Sequence, residues 1–206
     1  MDKKEIPDIV VGRLPLYLRA LQRMLSDGRQ VTSSQELGEI LGISAAQIRK
    51  DLSQFGEFGK QGTGYHIEYL VQKLREILHI DREWNLAVVG AGDIGSAVVR
   101  YKGFADRGFR VCKVFDNDPH KVGTHIGEFV VQDISEMAGT IKESGIQVAM
   151  IAVPANKAQD VVDQLVQAGV KAILNYAPIS INVPPGIYVQ YIDPTVHLQR
   201  MTYYLE

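Results

Sequence analysis

The apolar positions of this chain change their spacing about two-fifths of the way along. In the first eighty residues they recur every three or four positions. Leu14, Leu18, Leu21 and Leu25 line one face of a helix expected over residues 7–26, stopping before Gly28. Pro15 inside that span predicts a kink or a break. Leu37, Ile40 and Leu41 give the apolar face of a second, short helix ended by Gly42, and Ile48 and Leu52 that of a third. Residues 67–80 read as a further amphipathic helix, followed by the polar Asp81-Arg82-Glu83. Beyond that point short apolar runs alternate with helical patterns. Strands are expected at 85–89, 110–115, 148–153, 172–175 and 189–192, and helices at 94–104, 134–143 and 156–168. Nearly continuous apolar runs suit a parallel sheet covered on both faces. The second part therefore reads as a doubly wound α/β domain, with ligands expected beyond the carboxyl ends of its strands.

The two short helices carry start signals. Ser33-Ser34-Gln35-Glu36 and Ser44-Ala45-Ala46-Gln47 both fit the capping-box pattern, in which a Ser and a Glu or Gln satisfy free N–H groups of the first turn. Joined by Leu41-Gly42-Ile43, the pair looks like a helix-turn-helix. Gln47, Arg49, Lys50 and Gln54 can project from the polar face of its second helix. Arg and Lys suit guanine edges and phosphates, and Gln suits adenine, although the same residues equally suit the solvated face of a structural helix pair. Residues 54–65 then hold four glycines, two phenylalanines and Lys60. A Gly-rich turn flanked by aromatics, with Lys60 at its tip, resembles the wing of a winged-helix domain; an ordinary hairpin is the plainer reading. Helix pair and wing in this order favour DNA binding.

Bulk charge does not advertise this. The net charge of the 206 residues is −2, and residues 1–80 hold 11 Lys/Arg against 10 Asp/Glu. Any DNA contact must come from local placement of basic side chains. No apolar run approaches the roughly 20 residues that span a bilayer, and no signal-like stretch follows Met1. The single Cys112 excludes an internal disulfide framework and, lying in an apolar run, is expected to be a buried, inert thiol. A cytoplasmic location is the expectation.

The clearest chemical motif is Gly90-Ala91-Gly92-Asp93-Ile94-Gly95, which matches G-x-G-x-x-G directly after an apolar run; Asp116 closes the next run, 21 positions after Gly95. Gly90 allows the sharp turn, Gly92 lets backbone approach a pyrophosphate, and Gly95 permits close helix–strand packing. The following helix start offers free N–H groups and a favourable dipole. Asp116 would accept hydrogen bonds from the adenosine ribose and repel a 2′-phosphate, which predicts NAD(H) over NADP(H); its plainer reading is a turn residue in Asp116-Asn117-Asp118-Pro119. Asp93 places a carboxylate in the phosphate turn and is expected to cap the helix. Val153, Pro154 and the Asn175-Tyr176-Ala177-Pro178 stretch end two strands and are expected on the nicotinamide side. Tyr101 falls late in the helix, where packing is the plainer role. The five histidines are scattered, no pair has metal-ligand spacing, and no room remains for a substrate domain, so a non-enzyme without metal is expected. A small NAD-dependent dehydrogenase, a CoA-binding enzyme subunit, or a repressor sensing another nucleotide remain alternatives. The last segment, 194–205, reads as a helix whose Val196, Leu198, Met201, Tyr204 and Leu205 need a partner, either by folding back or on another subunit.

Taken together, these motifs resemble those of the Rex family, redox-sensing transcriptional repressors of bacteria. Arg13-Leu14-Pro15-Leu16-Tyr17, Ser33-Ser34-Gln35-Glu36-Leu37, Gln47-Ile48-Arg49-Lys50-Asp51-Leu52-Ser53, Phe55-Gly56, Gly62-Thr63-Gly64-Tyr65, the glycine motif and Leu174-Asn175-Tyr176-Ala177-Pro178 carry the likeness over nearly the whole length. The resemblance implies a winged helix over 1–80, a Rossmann NAD(H)-binding domain over 84–192, and a domain-swapped dimerisation helix over 193–206. It implies a homodimer on an inverted-repeat operator, released by NADH, with NAD⁺ competing for the site without releasing DNA. Arg49, Lys50 and the wing Lys60 are the implied DNA contacts, with Arg13, Gln47 and Ser53 from the same motifs and Ser44 from the capping box of the second helix of the pair. Gly90, Ala91, Gly92, Asp93, Ile94, Gly95, Asp116, Val153, Pro154 and Asn175 are the implied nucleotide contacts, and Tyr101 and Asp193 the implied switch residues. Some members carry phenylalanine just after that aspartate, where this chain has Pro194.

Overall fold

A computed structural model describes residues 6–60 and 63–205, Lys60 by its backbone. The chain divides into two compact units, Met1–Arg82 and Glu83–Glu206. No described helix is long and apolar enough to cross a membrane.

In the first unit the expected single N-terminal helix is two, α1 (Asp8–Val11) and α2 (Leu14–Ser26), broken at Gly12-Arg13. Pro15 sits in the first turn of α2, where its missing N–H has no partner to lose. Leu14, Tyr17, Leu18, Leu21 and Met24 are buried, whereas Leu25, expected on this face, is exposed. The unit continues through β1 (Val31–Thr32), α3 (Ser34–Leu41), α4 (Ala45–Leu52), β2 (Gly59–Lys60), β3 (Gly64–His66) and α5 (Ile67–Ile77). Both predicted N-caps form: Ser33 accepts from the Glu36 N–H at 3.1 Å and Ser44 from the Gln47 N–H at 3.2 Å. Leu37, Ile48 and Leu52 join the core, but Ile40 faces solvent. Strands β1, β3 and β2 form an antiparallel sheet in that order, with Gly59 opposite Tyr65. This is the wing. Phe55 and Phe58 pack on the core beneath it; Gln61 and Gly62 of the expected turn lie outside the described residues.

The second unit contains β4 (Trp84–Val89), α6 (Asp93–Arg100), β5 (Phe109–Asp116), β6 (His125–Ile126), β7 (Phe129–Asp133), α7 (Met137–Ser144), β8 (Val148–Ile151), α8 (Ala155–Ala168), β9 (Ala172–Asn175), β10 (Tyr188–Tyr191) and α9 (Pro194–Thr202). The sheet order is β10-β9-β8-β4-β5-β7-β6. All neighbours are parallel except the β6/β7 hairpin. From β7 to β10 this is the 3-2-1-4-5-6 order of a Rossmann domain, whose chain reversal at β4 and β8 opens a crevice at the strand ends. One apolar core packs α7 and α8 on one face, built from Val89, Phe115, Ile141, Ile151, Val162 and Leu165 among others. The other face buries Leu86, Val88, Val99, Val114 and Met150.

Differences from expectation have local causes. The β6/β7 hairpin lies outside the expected strands; it is short, mixed in polarity and turned by Gly127 at φ +62°. The helix expected over 94–104 ends at Arg100 and resumes as a 3-10 helix, Lys102–Arg107. The strand expected to reach Val153 ends at Ile151. Cys112 is only half-buried; burial pushes its thiol pKa up, and Sγ lies 3.5 Å from the Leu86 carbonyl. In α9, Asp193 caps the helix by accepting the Thr195 N–H at 2.9 Å. Val196, Leu198 and Met201 of this helix and Tyr203, Tyr204 and Leu205 beyond it are all exposed, so within this chain the apolar tail does not fold back.

Candidate functional site

The carboxyl end of β4 runs directly into the glycine turn. Gly90 has φ +99°, and a Cβ there would collide with the Ala152 carbonyl. A Cβ on Gly95 would fall inside the Gly90 carbonyl oxygen, so this glycine lets α6 press against the turn. At Gly92 a Cβ would meet nothing within 4 Å. The space over Gly92 is therefore open, at the start of a helix that no side chain caps. Open space beside uncapped N–H groups suits a phosphate ester.

Asp116, 6% exposed at the end of β5, holds this turn in place. Its Oδ2 accepts the Ala91 N–H at 2.6 Å and its Oδ1 accepts the Asp118 N–H at 2.8 Å. Burial opposes its charge, but the Asp118 and Ala91 N–H groups and nearby Lys121 outweigh it and hold its pKa below the usual carboxylate range. Asp116 is thus a turn residue and a wall of the site together.

A cavity of about 870 Å³ opens here, lined by Gly90, Gly92, Asp93, Ile94, Asp116, Val153 and Pro154 of the expected set. That volume is in the range of small-molecule and cofactor sites. Three expected contacts do not line it. Ala91 is buried and gives its N–H to Asp116; Gly95 serves packing. Asn175, 1% exposed, donates to the Ile179 carbonyl and accepts the Ala177 N–H, closing the turn after β9. Asp93 does not cap α6 either: Gly92 holds the cap position, and Asp93 is an exposed first-turn residue beside the cavity. Two lining cations, Lys121 and Lys157, are absent from the sequence-based set. Lys121 follows Asp116 by five positions, and that spacing is the signal that could have found it.

Tyr101 ends α6, half exposed. Its ring meets Phe104 edge-on at 5.0 Å, and its hydroxyl accepts from Arg107 at 2.7 Å. Asp193 is engaged with the α9 N-terminus, so each of the two residues has its own partners in this chain. Among the described residues no group of three His, Cys, Asp or Glu side chains could hold a metal ion.

In the first unit α4 presents Arg49, Lys50 and Ser53 to solvent, with Ser44 at its exposed cap. Arg49 is steadied by donating to Ser34 Oγ at 2.9 Å. The side chain of Lys60 lies outside the described residues, though its backbone pairs with Gly64 in the wing. Gln47 and Arg13 are placed differently from expectation. Both turn inward onto Asp51, which is fully buried. Arg13 donates from Nε at 2.6 Å and Nη2 at 2.8 Å, Tyr17 from its hydroxyl at 2.6 Å, and Gln47 from Nε2 at 2.7 Å. Burial alone would raise the Asp51 pKa, but these donors hold it below the usual range. The network ties α2 to α4 and fixes the pose of the exposed basic pair.

Comparison with known proteins bears on both sites. A family model described as "CoA binding domain" matches residues 81–179, and one described as "Putative DNA-binding protein N-terminus" matches residues 5–53. Curated relatives include a "Redox-sensing transcriptional repressor Rex" of Roseiflexus sp. (strain RS-1), 53% identical over 100% of this chain and 94% of its own. The "Redox-sensing transcriptional repressor Rex 1" of Thermotoga maritima is 45% identical over 97% of this chain and 96% of its own. Among solved structures, RSP in complex with β-NAD⁺ and operator DNA matches with TM-score 0.93 at 36% identity, covering 98% of this chain and 93% of that one. RSP with β-NADH matches with TM-score 0.89 at 34% identity, covering 97% and 94%.

Proposed function

The chain belongs to the Rex family of redox-sensing transcriptional repressors, and from that premise we propose that it reports NADH by leaving an inverted-repeat operator when NADH fills the cavity at Gly92. One observation carries this reading: a single chain holds an exposed basic pair on a capped helix and a glycine cradle backed by a buried aspartate. Arg49 and Lys50 enter the major groove, with Ser44, Ser53 and the wing Lys60 on the flanking backbone. Two copies associate through the apolar face of α9, exchanged between subunits, which covers the surface that one chain leaves exposed. NAD⁺ competes for the same cavity without releasing DNA. The nucleotide is a signal and is not consumed, and the protein works in the cytoplasm.

Release requires that NADH bind the DNA-free arrangement more tightly. Moving the population from 1:99 to 99:1 needs about a 10⁴-fold preference. On this reading Tyr101 and Asp193 meet across the dimer and couple cavity closure to the angle between the two recognition helices.

Substituting Arg49→Ala or Lys50→Ala tests the assignment. Either substitution is expected to weaken operator binding by about 1–3 kcal/mol. NADH affinity should not change, because the cavity lies in the other unit. The Lys50 variant should also flatten the salt dependence, because it removes one cation from the surface that faces the DNA polyanion. Unchanged operator affinity in gel shifts would place the DNA surface elsewhere. A joint loss of operator and NADH binding would mean misfolding. Stoichiometric NADH binding without consumption, offered carbonyl substrates, separates the sensor from a dehydrogenase.

A further inference from the structure

The reading of the cavity as an NAD(H) site leaves open what sets its choice between NADH and NADPH. Asp116 is the obvious determinant, yet both its oxygens are already engaged by the Ala91 and Asp118 N–H groups. Beside it stands a cation. Lys121 Nζ lies 3.4 Å from Asp116 Oδ2 and 3.9 Å from Asp118 Oδ2, and all three residues line the cavity. The Lys121 backbone is pinned: its N–H donates to the Asp118 carbonyl, and its own carbonyl accepts from Thr124 N and Oγ1. The side chain is 39% exposed, as is fitting for a group shared between two carboxylates and the cavity.

We propose that Lys121 is a specificity-determining residue that sets how strongly the ribose end of the cavity rejects a 2′-phosphate, and that Asp118 sets how much of its charge is available. The proposal rests on the NAD(H) reading above. A 2′-hydroxyl can donate to Asp116 without needing a cation. A 2′-phosphomonoester brings a charge of about −1.5 to −2 and three acceptor oxygens, which Asp116 repels and Lys121 attracts. Discrimination is therefore the balance of one buried carboxylate against one partly neutralised ammonium. Asp118 draws Lys121 away from that balance.

Asp116 is a poor probe of this, because removing it also frees the Ala91 N–H and loosens the phosphate turn. Lys121→Met and Asp118→Asn are cleaner and predict opposite signs. The Asp118→Asn change keeps an oxygen that can accept the His120 N–H while losing the charge that holds Lys121. The experiment is fluorescence titration of the full chain with NADH and with NADPH, read as the ratio of the two dissociation constants. That ratio does not move when a variant weakens both nucleotides alike. Lys121→Met is expected to raise the preference for NADH by about tenfold, the effect of one nearby charge partly screened by solvent. Asp118→Asn is expected to lower it severalfold. An unmoved ratio in either variant, or the same sign in both, overturns the assignment. Failure of the unaltered chain to bind NADH would instead contradict the reading of the cavity.

Discussion

Asp51→Ala is expected to cost the DNA-binding unit a large share of its stability. The change leaves the Arg13 guanidinium, the Tyr17 hydroxyl and the Gln47 amide without their common acceptor, at a site where Asp51 and Tyr17 are fully buried and Arg13 and Gln47 partly so. Breaking a buried, hydrogen-bonded ion pair typically costs about 3–5 kcal/mol. Against a total of about 5–15 kcal/mol for a domain, that loss is severe. Urea unfolding should show an early transition for this unit and lost operator binding, with NADH binding kept. Acid gives a second view of the same group. Its folded pKa is depressed, so its contribution is complete above the ordinary carboxylate pKa of about 3.9 and fades as pH falls through that value toward the lower folded one. Asp51→Asn should lower stability at neutral pH and flatten the acid loss. Parallel acid curves for the two proteins would show that Asp51 carries no such linkage.

Gly95→Ala is the second large effect. Its Cβ would overlap the Gly90 carbonyl oxygen, a backbone atom that cannot swing aside. Overpacking typically costs about 1–3 kcal/mol, and here the relief must come from the phosphate turn itself. NADH affinity should fall by at least about tenfold with a lowered melting temperature of the nucleotide unit. Gly92→Ala makes the contrast. Its φ of −78° is open to any residue and its Cβ meets no protein atom, so the fold should be kept. Yet that Cβ enters the space assigned to the pyrophosphate, and NADH affinity should fall without loss of stability. Equal NADH affinity in Gly92→Ala and the unaltered chain would place the phosphates elsewhere.

These two contrasts show what is legible in the sequence. The glycine turn is legible because each glycine answers a separate backbone demand, and the demands come in a fixed order along the chain. The Ser33 and Ser44 caps are legible because a cap reaches only three residues ahead. Arg13 and Gln47 mislead because residue type announces hydrogen-bonding capacity but not direction. Asp51 lies 38 residues from Arg13, so only the tertiary fold shows that it takes up the guanidinium, whereas Gln47 precedes it by four positions on α4, a spacing at which the pairing could have been read. Asn175 misleads for the same reason: its position at a strand end is clear, but its amide turns back onto its own loop. The β6/β7 hairpin escapes a sequence reading because its strands are too short and too mixed to show a period. The α9 tail is marked by its excess of apolar residues, and the exposure of Val196, Leu198 and Met201 in the single chain follows that reading.

The central claim is that bound NADH and bound operator exclude each other. It is tested most directly by titrating NADH into the preformed complex of this protein with an inverted-repeat operator and following DNA release by fluorescence anisotropy. A parallel titration with NAD⁺ is the control. The expected result is full release at saturating NADH, retention of DNA at saturating NAD⁺, and a rightward shift of the NADH curve when NAD⁺ is present. Operator affinity that stays the same at saturating NADH would contradict it.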